Sequence, residues 1–223
     1  KYEWAEDSYF VPVASSIENN GLFRYYVDKG DVTIIGLDEG LEIAENINVP
    51  SEINGYPVKF INGFSFENNN YITSVTIPDT VIEIGDSAFK ECSNLTTVSL
   101  SSGIIRIDGA AFYNCEKLSN FTIPAGVEYI GNSAFYNCHR FVNLTIPESV
   151  KKIDAYAFNM CWFSSHGTIT FERTTKNDYD RSMFWNDGNV TVRIPNIARN
   201  EYEDDNGEVN FSHVPTKNIV FYD

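Results

Sequence analysis

A strict internal repeat constrains the fold of this chain more than any other feature of its 223-residue sequence. The repeat is carried by the four cysteines and by one phenylalanine per unit, at Cys92, Cys115, Cys138 and Cys161 and at Phe66, Phe89, Phe112, Phe135 and Phe158. In both series each member follows the last by twenty-three positions, and a fixed period of this order marks a chain that stacks copies of one structural unit. A single unit cannot bury its apolar residues alone, so about five units must share one continuous core.

Each unit contains three apolar residues with the spacing L-x-x-L-x-L, as in Leu95-x-x-Val98-x-Leu100. The last two alternate with polar residues, which predicts a half-buried strand whose polar side chains point outward. A second apolar pair, such as Val81 with Ile84, then faces the core again. The strands therefore present two outward columns of small polar side chains, with Ser74, Thr97, Asn120 and Asn143 in the first and Thr76, Ser99, Thr122 and Thr145 in the second.

The complete unit reads C-x-x-L-x-x-[V/F/L]-x-I-P-x-x-V-x-x-I-[G/D]-x-x-A-F and resembles the BspA-type (Treponema-type) leucine-rich repeat over residues 60–162. The resemblance implies a leucine-rich-repeat solenoid that is horseshoe-like, β-rich and right-handed. Upstream, residues 48–58 are similar to the first repeat of that family. Two strand patterns at 23–27 and 32–35, joined by a tight turn, look like its N-terminal β-hairpin cap.

Downstream of the repeats the match weakens. Residues 168–171 keep a strand pattern, with Ile169 lying one full period after Ile146, and residues 190–195 resemble a last repeat strand. End repeats need polar outer faces, so we expect an irregular C-terminal β cap here. We predict one continuous domain consisting of an N-terminal cap (1–47), the repeats (48–167), and a degenerate repeat with the C-terminal cap (168–223).

The net charge of −15 narrows the choice of partners. A surface this acidic repels phosphate backbones and anionic lipid headgroups, which argues against nucleic-acid and membrane-surface binding. No apolar run reaches the roughly 18 residues that cross a bilayer, so we expect no membrane insertion in this segment. The BspA-type family is found mainly on bacterial surfaces and among secreted proteins. The resemblance therefore implies a secreted or cell-surface location, and we expect that a signal peptide preceding Lys1 has been removed.

The cysteines are the main candidates for chemistry. A zinc site gathers four ligands around one ion, whereas one thiol per turn spreads four of them over roughly 14 Å. Disulfides between neighbouring turns would have poor torsion geometry. Buried, reduced thiols that pack as small apolar groups are the favoured interpretation. No nucleophile motif, P-loop or dinucleotide-binding motif occurs, so we expect no enzyme, no metal and no cofactor.

Assigned members of the family act in adhesion, binding host or bacterial proteins, and the resemblance implies the same here. We expect a protein ligand on the two outward polar columns. One alternative is a carbohydrate-binding module in which Trp162 and Trp185 stack on sugars. Another is a structural spacer, which predicts no ligand at all.

Overall fold

The computed structural model describes residues 17–38, 44–119, 121–161, 167–173, 178–184, 190–196 and 218–223. Nearly all of its regular structure is short strand. The strands are β1 (Glu18–Asn19), β2 (Phe23–Asp28), β3 (Asp31–Leu37), β4 (Asn46–Asn48), β5 (Glu52–Ile53), β6 (Tyr56–Ile61), β7 (Ser74–Ile77), β8 (Glu83–Ile84), β9 (Thr97–Leu100), β10 (Arg106–Ile107), β11 (Tyr129–Ile130), β12 (Asn143–Ile146), β13 (Lys152–Ile153), β14 (Thr168–Phe171), β15 (Asp178–Tyr179), β16 (Thr191–Pro195) and β17 (Ile219–Tyr222). One 3₁₀ helix (Arg181–Phe184) lies between β15 and β16.

The strands that carry the L-x-x-L-x-L pattern form parallel sheets with one strand per turn. β4, β7 and β9 make a three-stranded sheet, and β12, β14, β16 and β17 make a four-stranded one. Their burial alternates as expected: in β12, for example, Leu144 and Ile146 are buried and Asn143 and Thr145 are exposed. The predicted solenoid is confirmed.

A second sheet runs along the other side of the turns. Its repeat strands β8, β10, β11, β13 and β15 are short and pair in parallel. β6, β3, β2 and β1 extend this sheet toward the N-terminus. Each repeat strand points one isoleucine or Tyr179 inward, and the inward residues of both sheets belong to one apolar cluster.

The strands predicted near the N-terminus form the antiparallel β2–β3 hairpin, and β3 pairs in parallel with β6. The hairpin turn places Lys29 and Gly30 in the left-handed region, with φ of 51° and 89°. Glycine adopts this conformation freely and makes so tight a turn possible. The role of the hairpin as a cap, and the boundaries at 47 and 167, stay predictions.

The register predicted for β14 against β12, the strand of the fourth repeat, is wrong. Ile169 pairs with Leu144 rather than with Ile146, which pairs with Phe171, so the step from β12 to β14 exceeds the repeat period by two positions. The next step returns to the normal period, because Thr168 pairs with Thr191. The two extra residues therefore enter once, between β12 and β14.

The core is organised as columns that follow the repeat. Six phenylalanine rings stack in a continuous row with centroids 4.9 to 5.9 Å apart, namely Phe66, Phe89, Phe112, Phe135, Phe158 and Phe184. In each turn beside this row, two residues adopt the left-handed conformation, with φ between 50° and 62°. They are Ser87, Glu91, Ala110, Asn114, Ser133, Asn137, Tyr156 and Met160.

The repeat between β9 and β12, the third with the L-x-x-L-x-L pattern, separates the three-stranded sheet from the four-stranded one. Residues 121–124 follow the sequence pattern but carry no strand, so β9 and β12 end their sheets on either side of them. The inward residue here is Phe121, where neighbouring repeats have the smaller Val98 and Leu144. Its ring packs edge-on against the phenylalanine row, 4.7 Å from Phe135 and 5.5 Å from Phe112. We attribute the interruption to this ring, because the extra volume keeps the backbone out of line with the ladder.

Candidate ligand-binding surface

The predicted polar columns lie on the outer side of the three-stranded and four-stranded sheets and of the repeat between them. Thr76, Ser99, Thr122, Asn143 and Thr145 are exposed, and Ser74 and Thr97 are half-buried. The register of β7 against β9 places Ser74 beside Thr97 and Thr76 beside Ser99. Of the remaining predicted site residues, Asn120, Trp162 and Trp185 lie outside the described residues.

The columns extend further than the sequence pattern suggests. Asn46 and Asn48 pair with Ser74 and Thr76, and β14 and β16 continue both columns with Thr168, Thr170, Thr191 and Arg193. We name the whole set the polar strand face: Asn46, Asn48, Ser74, Thr76, Thr97, Ser99, Thr122, Asn143, Thr145, Thr168, Thr170, Thr191 and Arg193. The alternation Asn46-Ile47-Asn48 is a sequence signal for the first extension. The distance along the chain from Asn46 to its neighbour Ser74 is longer than the repeat period, and this irregular spacing hides the signal.

Arg193 introduces a cation into this otherwise uncharged set. It is exposed, and its guanidinium carbon lies 4.9 Å from the centre of the Tyr222 ring. A guanidinium over an aromatic face is attracted by the ring quadrupole, so this contact holds the cation near the end of the polar strand face.

A groove opens where the third repeat leaves the ladder. Its cavity of about 600 Å³ is lined by Thr97, Val98, Ser99, Leu100, Ser119, Phe121, Thr122, Val142 and Asn143. Leu100 is half-buried, whereas the equivalent Ile77 and Ile146 are buried at 1% and 0% exposure. The groove therefore reaches the side of β9 as well as the outer face. None of the described residues that line it has an ionisable side chain.

A second cluster, which the sequence analysis missed, lies on the opposite sheet. The outward residues of β8, β10, β11 and β13 stack as Glu83, Arg106, Tyr129 and Lys152, and we call them the charged column. Each precedes an inward isoleucine, so the sequence places them in one column. Their pairing becomes visible only when the turns are stacked.

Tyr129 lies between two cations in this column. The guanidinium carbon of Arg106 is 4.2 Å from its ring centre and the Lys152 ammonium is 5.5 Å away. The Tyr129 hydroxyl donates to a carboxylate oxygen of Asp154, and Lys152 pairs with the other oxygen at 3.1 Å. Burial and the neighbouring Asp154 raise the pKa of Tyr129, so the phenol stays protonated in the physiological range.

The carboxyl of Glu83, the acidic member of the charged column, also has a perturbed pKa. Burial, reinforced by the nearby Asp108 carboxylate, raises its pKa to about 7, although Arg106 opposes this from 3.9 Å. Arg106 gives its closer contact to Asp108, at 2.7 Å. A protonated Glu83 can donate a hydrogen bond to Asp108, which further favours its neutral form and raises its pKa.

The cysteines face neither surface. All four are buried and unpaired, and each Sγ donates to the carbonyl of a phenylalanine in the preceding turn, at 2.9 to 3.3 Å. Burial raises the pKa of Cys92 to about 12 and holds that of Cys115 and Cys138 well above the usual thiol range. Such thiols pack as small apolar groups rather than as ligands or nucleophiles. Within the described residues, no three His, Cys, Asp or Glu side chains are arranged to hold a metal ion.

Stacked parallel turns, an internal phenylalanine row and an outer polar face together define a leucine-rich-repeat β-solenoid. Residues 44–191 match the model of the BspA type leucine-rich repeat region in six copies, and the chain belongs to this family. The only helix in the described part of the chain is the short 3₁₀ turn, so no helix there is long enough to cross a membrane.

Solved structures with the same fold come from several bacteria. A leucine-rich-repeat protein of T. pallidum is similar at 25% identity and a TM-score of 0.71, with 80% of this chain and 81% of that one covered. One from Bacteroides ovatus is similar at 26% identity and a TM-score of 0.65, with 81% and 47% covered. The pneumococcal vaccine antigen PcpA shares the fold at 17% identity and a TM-score of 0.70, with 90% and 46% covered. The chain thus spans about half of the latter two proteins. No curated protein matches it.

Proposed function

We propose that this chain is a non-enzymatic binding module, displayed on a bacterial surface or secreted, which holds a protein ligand on the polar strand face. The observation that carries the proposal is the long array of exposed and half-buried hydroxyl and amide side chains on two sheets that cover one buried core. Ser, Thr and Asn side chains both donate and accept hydrogen bonds, as a protein partner requires. A rigid sheet also lowers the entropic cost of association.

Electrostatics support the same face. The chain carries a net charge of −15, yet the described members of the polar strand face include no acidic residue. A neutral region on an acidic molecule can approach a partner closely, while the acidic remainder disfavours nonspecific contacts with nucleic acids and anionic lipids.

The test uses the double variant Ser99→Arg with Thr122→Arg, which places two bulky cations at exposed positions beside the groove. Glu52→Arg is the matched control, because it makes the same change in net charge at an exposed position on β5. Binding of the full chain to immobilised extracellular-matrix and mucus proteins is measured, with thermal melting as a check of folding. We expect saturable binding by the wild type and the control, and loss of binding by the folded double variant.

Retained binding by the double variant would move the site away from the polar strand face. Binding to a glycan array that is lost on Trp185→Ala would favour a carbohydrate-binding module instead. Absence of any ligand across both panels would favour the spacer.

A further inference from the structure

The interrupted third repeat leaves one side of β9 without a ladder partner. In an unbroken ladder of this register, the Thr122 N–H would donate to the Val98 carbonyl and the Leu100 N–H to the Thr122 carbonyl. Within the described residues the ladder contact is instead limited to the start of the repeat, where the Ser119 N–H donates to the Thr96 carbonyl at 3.2 Å. The Val98 carbonyl and the Leu100 N–H therefore face the groove unpaired by the third repeat.

Unpaired backbone groups at a strand edge are a template for another strand. Sheet edges in other proteins are commonly blunted by charged side chains, prolines or bulges. Here the described residues that line the groove beside β9 include no charged residue and no proline, and β9 pairs with β7 in an unbroken register. The strand β9 gives an edge about 13 Å long, enough for a peptide segment of about four residues.

We infer that the groove beside β9 binds an extended, uncharged peptide segment of the protein ligand, which adds to the sheet as a strand. The inference rests on the proposed function and names the part of the ligand that is recognised. Backbone hydrogen bonds to Val98 and Leu100 would supply the affinity. Selectivity would come from Phe121 and Val142, which offer apolar contacts, and from Thr122 and Asn143, which offer hydrogen bonds.

The residues that line the groove also indicate which peptide sequence fits there. The described lining residues carry no charge, so a charged side chain entering the groove would lose hydration without gaining a partner among them. Alternating small polar and β-branched or aliphatic residues satisfy both kinds of contact. Strand β12 of this chain, Asn143–Ile146, has this composition and already occupies a ladder position one repeat further along.

The test therefore uses a blocked synthetic peptide that copies residues 141–147, titrated into the full chain and followed by calorimetry. The control peptide has the same side chains but carries N-methyl groups on alternate amides, which removes the backbone donors of one edge. We expect saturable binding of the plain peptide, little dependence on salt, and at least about tenfold weaker binding of the methylated one. Equal binding of the two peptides would refute strand addition.

The protein variant is Phe121→Leu, which gives the third repeat the residue found at Leu144 in the fourth. The smaller side chain should let residues 121–124 join the ladder, close the groove and weaken peptide binding by at least about tenfold. Amide hydrogen exchange at Leu100 and Thr122 reports whether the ladder has formed and the variant is folded. Unchanged peptide affinity after slowed exchange would overturn the inference.

The two proposals fail in different ways. If the matrix or mucus ligand still binds the wild type, is lost in the Ser99→Arg and Thr122→Arg variant, and binds Phe121→Leu equally well, the peptide inference is wrong and the proposed function stands. If neither ligand nor peptide binds, both are wrong. Concentration-dependent dimers that disappear in Phe121→Leu would assign the β9 edge to a second copy of this chain, and would also refute the inference.

Discussion

Replacing Glu83 by glutamine removes a carboxyl that the fold holds partly protonated at neutral pH. Glu83 is 22% exposed and lies between the Asp108 carboxylate and Arg106. Its pKa is about 7 in the folded chain, compared with 4.5 for an unperturbed glutamate. The glutamine amide imitates the protonated acid, because it also donates a hydrogen bond to Asp108.

The direction of the pH dependence of stability follows from proton linkage. Between about pH 4.5 and pH 7 the folded chain binds more protons at Glu83 than the unfolded chain does, so the free energy of unfolding falls as the pH rises. Above about pH 7 the full cost is present, and below about pH 4.5 it is absent. The difference between these two pKa values corresponds to about 3 kcal/mol. Glu83→Gln should therefore stabilise the chain by up to about 3 kcal/mol near pH 8 and by much less near pH 5.

Urea unfolding of both proteins at several pH values between about 5 and 8 measures this difference. Glu52→Gln, at an exposed position on β5, serves as the control for removing one negative charge. The reasoning is refuted if the wild type and Glu83→Gln keep a constant stability difference across this range. It is also refuted if Glu52→Gln reproduces the effect, because general charge repulsion would then explain it.

Three further substitutions test the repeat packing by thermal or urea unfolding. Gly103→Ala should lower the free energy of unfolding by about 2 kcal/mol or more, because the new Cβ would lie 1.9 Å from the Asp79 carbonyl oxygen and the turn must move. A smaller loss of stability would mean that the two turns separate easily. Glu91→Asn should stabilise the chain by about 1 kcal/mol, because Glu91 has a φ of 61° and asparagine, as at the equivalent Asn137, adopts this conformation at less cost. Destabilisation would show that contacts of the Glu91 side chain outweigh the backbone strain. Phe135→Ala should cost about 4 kcal/mol, since this fully buried ring contacts four aromatic rings among the described residues. A loss below about 2 kcal/mol would contradict the packing described.

The sequence predicts the stacked core well because the period encodes it directly. Residues one period apart, such as Phe112 and Phe135, are neighbours in the stack, so each core column is visible in the chain. The register of β14 is not predictable in this way. A shift by two positions keeps the alternation of inward and outward side chains, so Ile169 suits either partner, and only the stacked structure selects Leu144.

The groove and the charged column escape the pattern for different reasons. Phe121 satisfies the apolar requirement of its position, and a pattern of apolar residues takes no account of the volume that displaces the strand. The charged column depends on contacts between turns, for example Arg106 with Tyr129. Such contacts involve a position where the repeat consensus allows any residue. The polar strand face was predicted in part because its members, such as Thr76 and Ser99, alternate with apolar residues in every repeat.

The buried cysteines have a consequence for a protein exposed to oxidants. Each thiol is fully enclosed and donates a hydrogen bond to a carbonyl of the preceding turn, so it does not meet an oxidant in solution. The folded molecule can therefore carry four reduced thiols in an oxidising medium without crosslinking. When neighbouring turns separate, the thiols between them become reactive. The rate at which a thiol-specific reagent labels the native protein consequently measures how often the solenoid opens.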